Sequence, residues 1–353
     1  MNKHLLEKQI KGKADVPPMI DSQSFKRQDL SNVDLSGGVF SKSEFMGADF
    51  SGSNLSQASF VDCDFSQAIL NNTRLDETNF MRCIFNDAQL SELSIKQTNF
   101  IESDVSHANF SYATFCQINC VKSLFNSTNF TGANFKESNF VDSDFSAANL
   151  ESSTHFRTNF INIIFSDIRL NSAILELVLF QNAIFTAFDF TKVNFKICQF
   201  RESKLEQCNF SQCDLTQTGF MEAELTSANF NQAVLNNTLF IKANLTQCDF
   251  SWTHLEQALF NEAKLNEAKF IGANLKQAQL VKAQIKGSNF EGANLMYADF
   301  SHADLSNSHF KKAELFRCNL HAVIENHTDW QQANRTAALE TDSKKAQAES
   351  FKA

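Results

Sequence analysis

One large apolar residue, Phe or Leu in nearly every case, recurs at each fifth position from Phe25 to Leu320. The 60 positions of this lattice hold 33 Phe, 22 Leu, two Ile and one Val, and only Cys120 and His155 depart from it. No insertion or deletion interrupts the count. A period of five matches neither an amphipathic helix nor an alternating strand. Fixed self-similarity at so short a period predicts a solenoid, in which each unit buries its apolar side only by stacking on its neighbours. A second column supports this: two residues before the lattice position stands Ala, Ser, Thr, Cys or Gly at 50 of the 60 places. Each pentad therefore points two side chains inward, one small and one large, and three outward.

The residue just before the large one is often Asp or Asn, and the residue after it is often Ser, Thr or Asn. These side chains favour tight turns because they bond nearby backbone groups. Pentads such as MGADF, SGSNL, TGANF, IGANL and EGANL carry the full pattern. In these residues the chain resembles the pentapeptide-repeat family, over residues 25 to 320. The resemblance implies an all-β fold, a right-handed quadrilateral β-helix with four pentads per coil, so 60 pentads give about 15 coils. At the strand spacing of about 4.8 Å the expected length is roughly 70 Å. In steps of 20, Phe40, Phe60, Phe80 and Phe100 share one side of the coil, and Leu35, Leu55 and Leu75 share another.

The ends fall off the pattern. Residues 1–24 contain LLEKQI, a short helix candidate, then Val16-Pro17-Pro18. They are expected to cap the strand edges that an open solenoid exposes. Residues 25–325 form the β-helix, and 326–353 a helical tail, N-capped by Thr328 with Asp329 in its first turn. Trp330 still falls on the lattice and is placed to close the last coil. Beyond Leu339 the tail is polar and expected to fray. With no long apolar run and no signal-like segment near the start, a cytoplasmic location is expected.

Nine Cys raise the question of disulfides or metal. Seven of them (Cys63, Cys83, Cys198, Cys208, Cys213, Cys248, Cys318) fall in the small inward column and Cys120 in the large one, so they read as small buried hydrophobes. Only Cys116 faces outward. The eight His are scattered, no phosphate-binding glycine loop or nucleophile elbow is present, and sequon-like triplets are generated by the repeat itself. An enzyme is not expected, nor a cofactor or a bound metal.

Net charge is −9, and it is concentrated in the first coils, where Asp49, Asp62, Asp64, Asp76, Glu77, Asp87, Glu92, Glu102 and Asp104 lie. That acidity disfavours direct contact with nucleic acid or an anionic membrane, and makes these residues one candidate partner surface. The second lies in residues 155–195. There Ile163, Ile168, Val178, Phe188 and Val193 swell the small column, and His155, beside Phe156, replaces a large apolar residue. This stretch reads either as local repacking or as an outward patch formed by His155, Phe156 and Phe188.

The resemblance implies two functions. Quinolone-resistance members are acidic mimics of DNA that bind gyrase and topoisomerase IV, and the opening SFKRQDL is similar to theirs. Other long members are protein-binding scaffolds or adaptors, some of them accessory or effector-loading factors of bacterial type VI secretion. The length, the unbroken register and the 23 Lys and Arg of the solenoid favour the scaffold. The partner is then another protein, a secretion component or effector, with a type II topoisomerase as the alternative. A homodimer through a terminus is a further expectation from the family.

Overall fold

The computed structural model describes residues 3–12 and 19–351. The chain divides into two compact units, Met1–Leu179 and Phe180–Ala353. Among the described residues no helix is long and apolar enough to cross a membrane.

In the first unit the chain runs through helix α1 (Lys3–Ile10) and then thirteen three-residue strands. These are β1 (Met19–Asp21), β2 (Val39–Ser41), β3 (Ser59–Val61), β4 (Asn79–Met81), β5 (Ser94–Lys96), β6 (Asn99–Ile101) and β7 (Thr114–Cys116). They continue with β8 (Asn119–Val121), β9 (Asn134–Lys136), β10 (Asn139–Val141), β11 (Thr154–Phe156), β12 (Asn159–Ile161) and β13 (Ile174–Glu176). Pairing is parallel and always offset by 20 residues, so Phe40 pairs with Phe60, Phe60 with Phe80 and Phe80 with Phe100. One sheet runs β1-β2-β3-β4-β6-β8-β10-β12, and a second joins β5, β7, β9, β11 and β13. The other two sides of each coil are held by single-residue bridges at the same offset, such as Glu44 to Asp64 and Asp49 to Ile69. Twenty residues and four sides per turn define the right-handed quadrilateral β-helix. Two further strands follow, β14 (Leu179–Gln181) at the unit boundary and β15 (Asn194–Lys196), and otherwise the second unit is held by single-residue bridges, from Ile184–Lys204 to Asn319–Leu339. Within the first unit the longer sheet counts eight strands, so strands are fewer than the 15 coils expected, because elsewhere pairing narrows to one residue per side.

The geometry of one pentad explains the columns. The large side chain enters the core, where like rings stack along a side: Phe40 on Phe60 at 4.7 Å, Phe210 on Phe230 at 5.1 Å. Rings on adjacent sides meet edge-on, as Phe40 and Phe45 do at 5.6 Å, the arrangement that the ring quadrupole favours. Two residues later the backbone turns the corner in the left-handed region, with φ of 47° at Lys42 and 51° at Glu102. The small residue then turns inward. Where it is Ser or Thr its hydroxyl can donate to a carbonyl 23 residues back, as Ser53 does to Leu30 at 2.6 Å and Thr78 to Leu55 at 2.9 Å. A buried thiol takes the same place, and Cys248 Sγ reaches the Leu225 carbonyl at 3.0 Å. The Asp or Asn before the large residue accepts the N–H two residues on, as Asp49 does from Ser51 at 2.9 Å. All nine Cys are free; Cys116 is half-buried and the other eight are buried. Burial in apolar surroundings pushes the Cys208 and Cys213 thiols up to about 12.

Helix α1 matches the LLEKQI expectation and buries Leu6 and Ile10, while Lys3 and Lys11 pair with Asp29 and Asp34 at 3.0 Å each. Val16-Pro17-Pro18 lie outside the described residues. At the other end the expected helix start is corrected. Thr328 does not cap a helix; its hydroxyl donates to the Leu305 carbonyl at 2.9 Å, as a small-column residue does. Asp329 accepts from the Gln331 N–H, and Trp330 stacks on Phe310 at 4.4 Å. The pentad pattern outlasts its Phe and Leu, because Thr328 and Trp330 still supply one small and one large inward group. The helix begins later, at α2 (Ser343–Ser350), where Asp342 accepts from the Lys344 and Lys345 N–H groups. The segment beyond Leu339, expected to fray, carries this helix.

Candidate interaction surfaces

The nine acidic residues do not form one face. Asp62 and Glu102 occupy the left-handed corner after one Phe side, Asp87 and Glu92 the corners of the next two sides, and Glu77 that of the fourth. Asp49, Asp64 and Asp104 spend a carboxylate oxygen on turn N–H groups at 2.9, 2.8 and 3.0 Å. Bases also break the field. Arg82 clamps Asp62 through two bonds of 2.7 and 3.0 Å, and its guanidinium holds the Asp62 carboxyl below the usual carboxylate range. Asp76 and Glu92 do come together, in a shallow cavity of about 360 Å³ shared with Arg74, Asn72 and Leu93.

The second candidate surface separates as well. His155 is 2% exposed and faces the core, so it cannot touch a partner. Its ring stacks on Phe135 at 4.7 Å, in the ladder Phe135–His155–Leu175. Ser153 Oγ donates to the Leu150 carbonyl at 2.7 Å, so it accepts from His155 Nε2–H at 2.9 Å. Nδ1 is left buried without a partner. Burial lowers the imidazole to about 3, and His155 is neutral at physiological pH. Phe156 stands half-buried on the outside of β11 beneath the Arg157 guanidinium, 5.1 Å from its ring. In the second unit Phe188 is half-buried and meets Phe190 edge-on at 4.6 Å. Ile163, Ile168, Val178 and Val193 are buried. They repack the core and add no outward patch.

The structure also shows surface groups that the pattern reading passed over. Tyr112, Trp252 and Tyr297 are 65%, 59% and 45% exposed and sit at left-handed corners. The rings of Tyr112 and Trp252 lie over Gly132 and Gly272, where a Cβ would collide with them. In the second unit Tyr297 meets Phe316 edge-on at 5.6 Å, with the Arg317 guanidinium 6.0 Å from the Tyr297 ring. The signal was available: both Tyr and one of the two Trp of the chain stand two residues after a lattice position.

One cluster has the composition of a metal centre. A nitrogen of His302, a nitrogen of His321 and a carboxylate oxygen of Glu349 lie within 4.8 Å of one another. The hydrogen bonds argue for another role. His321 Nδ1 accepts the Asp342 N–H at 3.2 Å, so Nε2 carries the ring proton and donates it to Glu349 at 3.1 Å. A cation on Nε2 would require that proton on Nδ1, facing another N–H. The cluster instead ties α2 to the last coils, and the His321 bond holds the Glu349 carboxyl below its usual range. Beside it lies a shallow cavity of about 450 Å³ lined by Asn319, His321, Leu339 and Lys345.

With this geometry in place the comparisons with known proteins are direct. A sequence profile described as pentapeptide repeats (8 copies) matches residues 25–60, 58–92, 117–154 and 194–220. A second, described as pentapeptide repeat region, matches 213–290 and 243–320. Together they cover well over half of the chain, and the chain belongs to the pentapeptide-repeat family. Among solved structures it is similar to HetL, a pentapeptide-repeat protein involved in heterocyst differentiation regulation in the cyanobacterium Nostoc, at 23% identity over 62% of this chain and 91% of that one, with a TM-score of 0.28. It is similar to a pentapeptide-repeat protein of the Arabidopsis thaliana thylakoid lumen at 32% identity over 28% of this chain and 68% of that one, TM-score 0.28. It is also similar to QnrB1, a plasmid-mediated fluoroquinolone resistance protein, at 14% identity over 94% and 97%, TM-score 0.16. Comparison with curated proteins found no match.

Proposed function

We propose that this protein is a non-catalytic scaffold that binds another protein through outward groups of its coils. The observation that carries the reading is the exposed aromatic set, above all Tyr297 and Phe316 with Arg317 beside them. Aromatic and Arg side chains dominate protein-binding hot spots, whereas a solvated surface has no need of them. The inward columns are consumed by packing and by hydroxyl-to-carbonyl bonds, so variation is free only outside. DNA mimicry is supported less well. The acids surround the coil at all four corners, with Arg82 seated between Asp62 and Glu102, so they do not build the two continuous negative rows of a duplex.

The finer form of the reading, taken from the resemblance, is an accessory or effector-loading factor of a bacterial type VI secretion system acting in the cytoplasm. The test compares proteins captured from the native host by the intact chain and by a Tyr297→Ala, Phe316→Ala double variant. A specific partner retained at least about tenfold less by the variant is expected, and a secretion component would support the finer form. Unchanged capture would overturn the aromatic reading. Inhibition of gyrase supercoiling, abolished by reversing Asp49, Asp62, Asp64 and Glu77 to Lys, would put DNA mimicry in its place.

A further inference from the structure

In the first unit the outward residue of successive strands on one side is apolar six times in succession. Val61, Met81, Ile101, Val121, Val141 and Ile161 belong to β3, β4, β6, β8, β10 and β12 and stand in register through the strand pairing. Met81 is exposed at 37% and the other five are half-buried. Five steps of about 4.8 Å make a stripe roughly 24 Å long. On one flank runs an outward Asn row whose amides bond along it, Asn99 to Asn79 at 2.6 Å and Asn159 to Asn139 at 2.7 Å. On the other flank, at the left-handed corner, six successive coils carry an exposed charged residue, Lys42, Asp62, Arg82, Glu102, Lys122 and Asp142; the row starts one coil before the stripe, since Lys42 follows Ser41, and Ile161 is followed by Asn162.

The signs of that row alternate from one coil to the next, and the row has no net charge. Such a row attracts neither a polyanion nor a polycation. It does have one natural complement, its own reversal: plus-minus-plus read backwards and laid face to face meets minus-plus-minus at every step. We propose that this face binds a second copy of the chain about a two-fold axis parallel to the strands, with the coil axes antiparallel. The axis passes between the coils of Met81 and Ile101. Met81 then faces Ile101 of the second copy, Val61 faces Val121, Val141 faces Ser41, and beside them Asn79 opposes Asn99. At the rim Lys42 faces Asp142, Asp62 faces Lys122 and Arg82 faces Glu102.

The charged row also restricts the register: only slips by an even number of coils keep opposite charges together, and of these only the proposed one pairs all six charged residues. A slip by one coil would set Lys42 against Lys122, Asp62 against Glu102 and Arg82 against Arg82, all like pairs. Repulsion against wrong alignments is how interfaces gain specificity, and an isologous two-fold contact needs a self-complementary patch. The apolar stripe supplies the attraction. Its narrowness makes this a weak dimer, at the small end of specific interfaces. The contact is lateral and distinct from a dimer through a terminus.

The test measures mass by sedimentation from about 1 μM to about 500 μM protein, for the intact chain, Arg82→Glu, Glu102→Arg and an equal mixture of the two variants. The intact chain is expected to move from monomer to dimer across that range. Each variant alone sets two like pairs at the centre of the contact and is expected to dimerise at least about tenfold more weakly. Mixing them restores both opposite pairs, and the mixture is expected to regain dimer. Circular dichroism confirms that the variants stay folded. A chain that remains monomeric throughout, variants that dimerise as the intact chain does, or a mixture that fails to recover would each overturn the proposal.

Discussion

His155 stands where the coils before and after it place Phe135 and Leu175, and it keeps that place only as a neutral ring with Nδ1 unpartnered. Its folded pKa, about 3, lies below its ordinary 6.5. The unfolded chain therefore takes up a proton first as pH falls. The stability is complete above about pH 6.5 and is lost progressively down to about pH 3, at up to about 1.4 kcal/mol per pH unit. His155→Phe restores the ring stack and removes the buried orphan nitrogen, while Ser153 keeps its bond to the Leu150 carbonyl. It is expected to gain about 1–2 kcal/mol at neutral pH and to flatten the loss between pH 6.5 and 4, both read from urea titrations of the two proteins. Among the described residues Ile197 is the one β-branched residue at a left-handed corner, with φ of 52°. Ile197→Asn is expected to stabilise by about 0.5–1 kcal/mol, since Asn tolerates that region and a β-branched side chain does not. An unchanged or lower melting temperature would mean that Ile197 packs better than its 44% exposure indicates. The inward or outward direction of nearly every residue was legible from the five-residue count. The corner conformation was legible too, since seven of the ten Gly stand two residues past a lattice position, but Asp and Asn beside the large residue drew attention away from it.

At the scale of elements, cohesion comes from columns. Phe240 stacks on Phe220 at 5.2 Å and on Phe260 at 4.9 Å and meets Phe230 and Phe250 edge-on. Phe240→Ala is expected to cost about 3–5 kcal/mol through the cavity it leaves, against almost nothing for exposed Lys264→Ala, measured by chemical denaturation. The tail responds to acid. Glu349 is held below its ordinary pKa chiefly by the His321 hydrogen bond, so its docking is intact above the ordinary carboxylate range and lost as pH falls through it. Amide exchange in α2 should therefore accelerate below about pH 4, and Glu349→Gln should show that faster exchange already at neutral pH. Equal rates for both proteins would mean that α2 is held by other contacts. The start of α2 was not legible in the sequence. Thr328 has the chemistry of a helix cap, but the coil beneath it offers the Leu305 carbonyl to the same hydroxyl, and the tertiary partner prevails.

For the molecule as a whole, composition announced an acidic protein, with a net charge of −9, but not the distribution of that charge. The nine acids are close in sequence, yet 20 residues carry the chain around all four sides, and neighbours in sequence part company in space. The apolar stripe and the alternating row lie 20 residues apart step by step, so they are invisible in any short window. A last consequence concerns phase. In the second unit Phe210, Phe230 and Phe250 line one side and Phe220, Phe240 and Phe260 the opposite one, with Leu on the sides between. The core thus repeats every ten residues, while the ladder closes only every twenty. Deleting residues 231–240 leaves Phe over Phe and Leu over Leu, yet it swings every later outward group half a turn around the coil; deleting 231–250 restores the original orientation. Both proteins should keep a β-type circular dichroism spectrum. A partner that reads groups on both sides of the cut should be released by the first deletion and retained by the second, so that evolution can rotate such a surface without touching what holds it together.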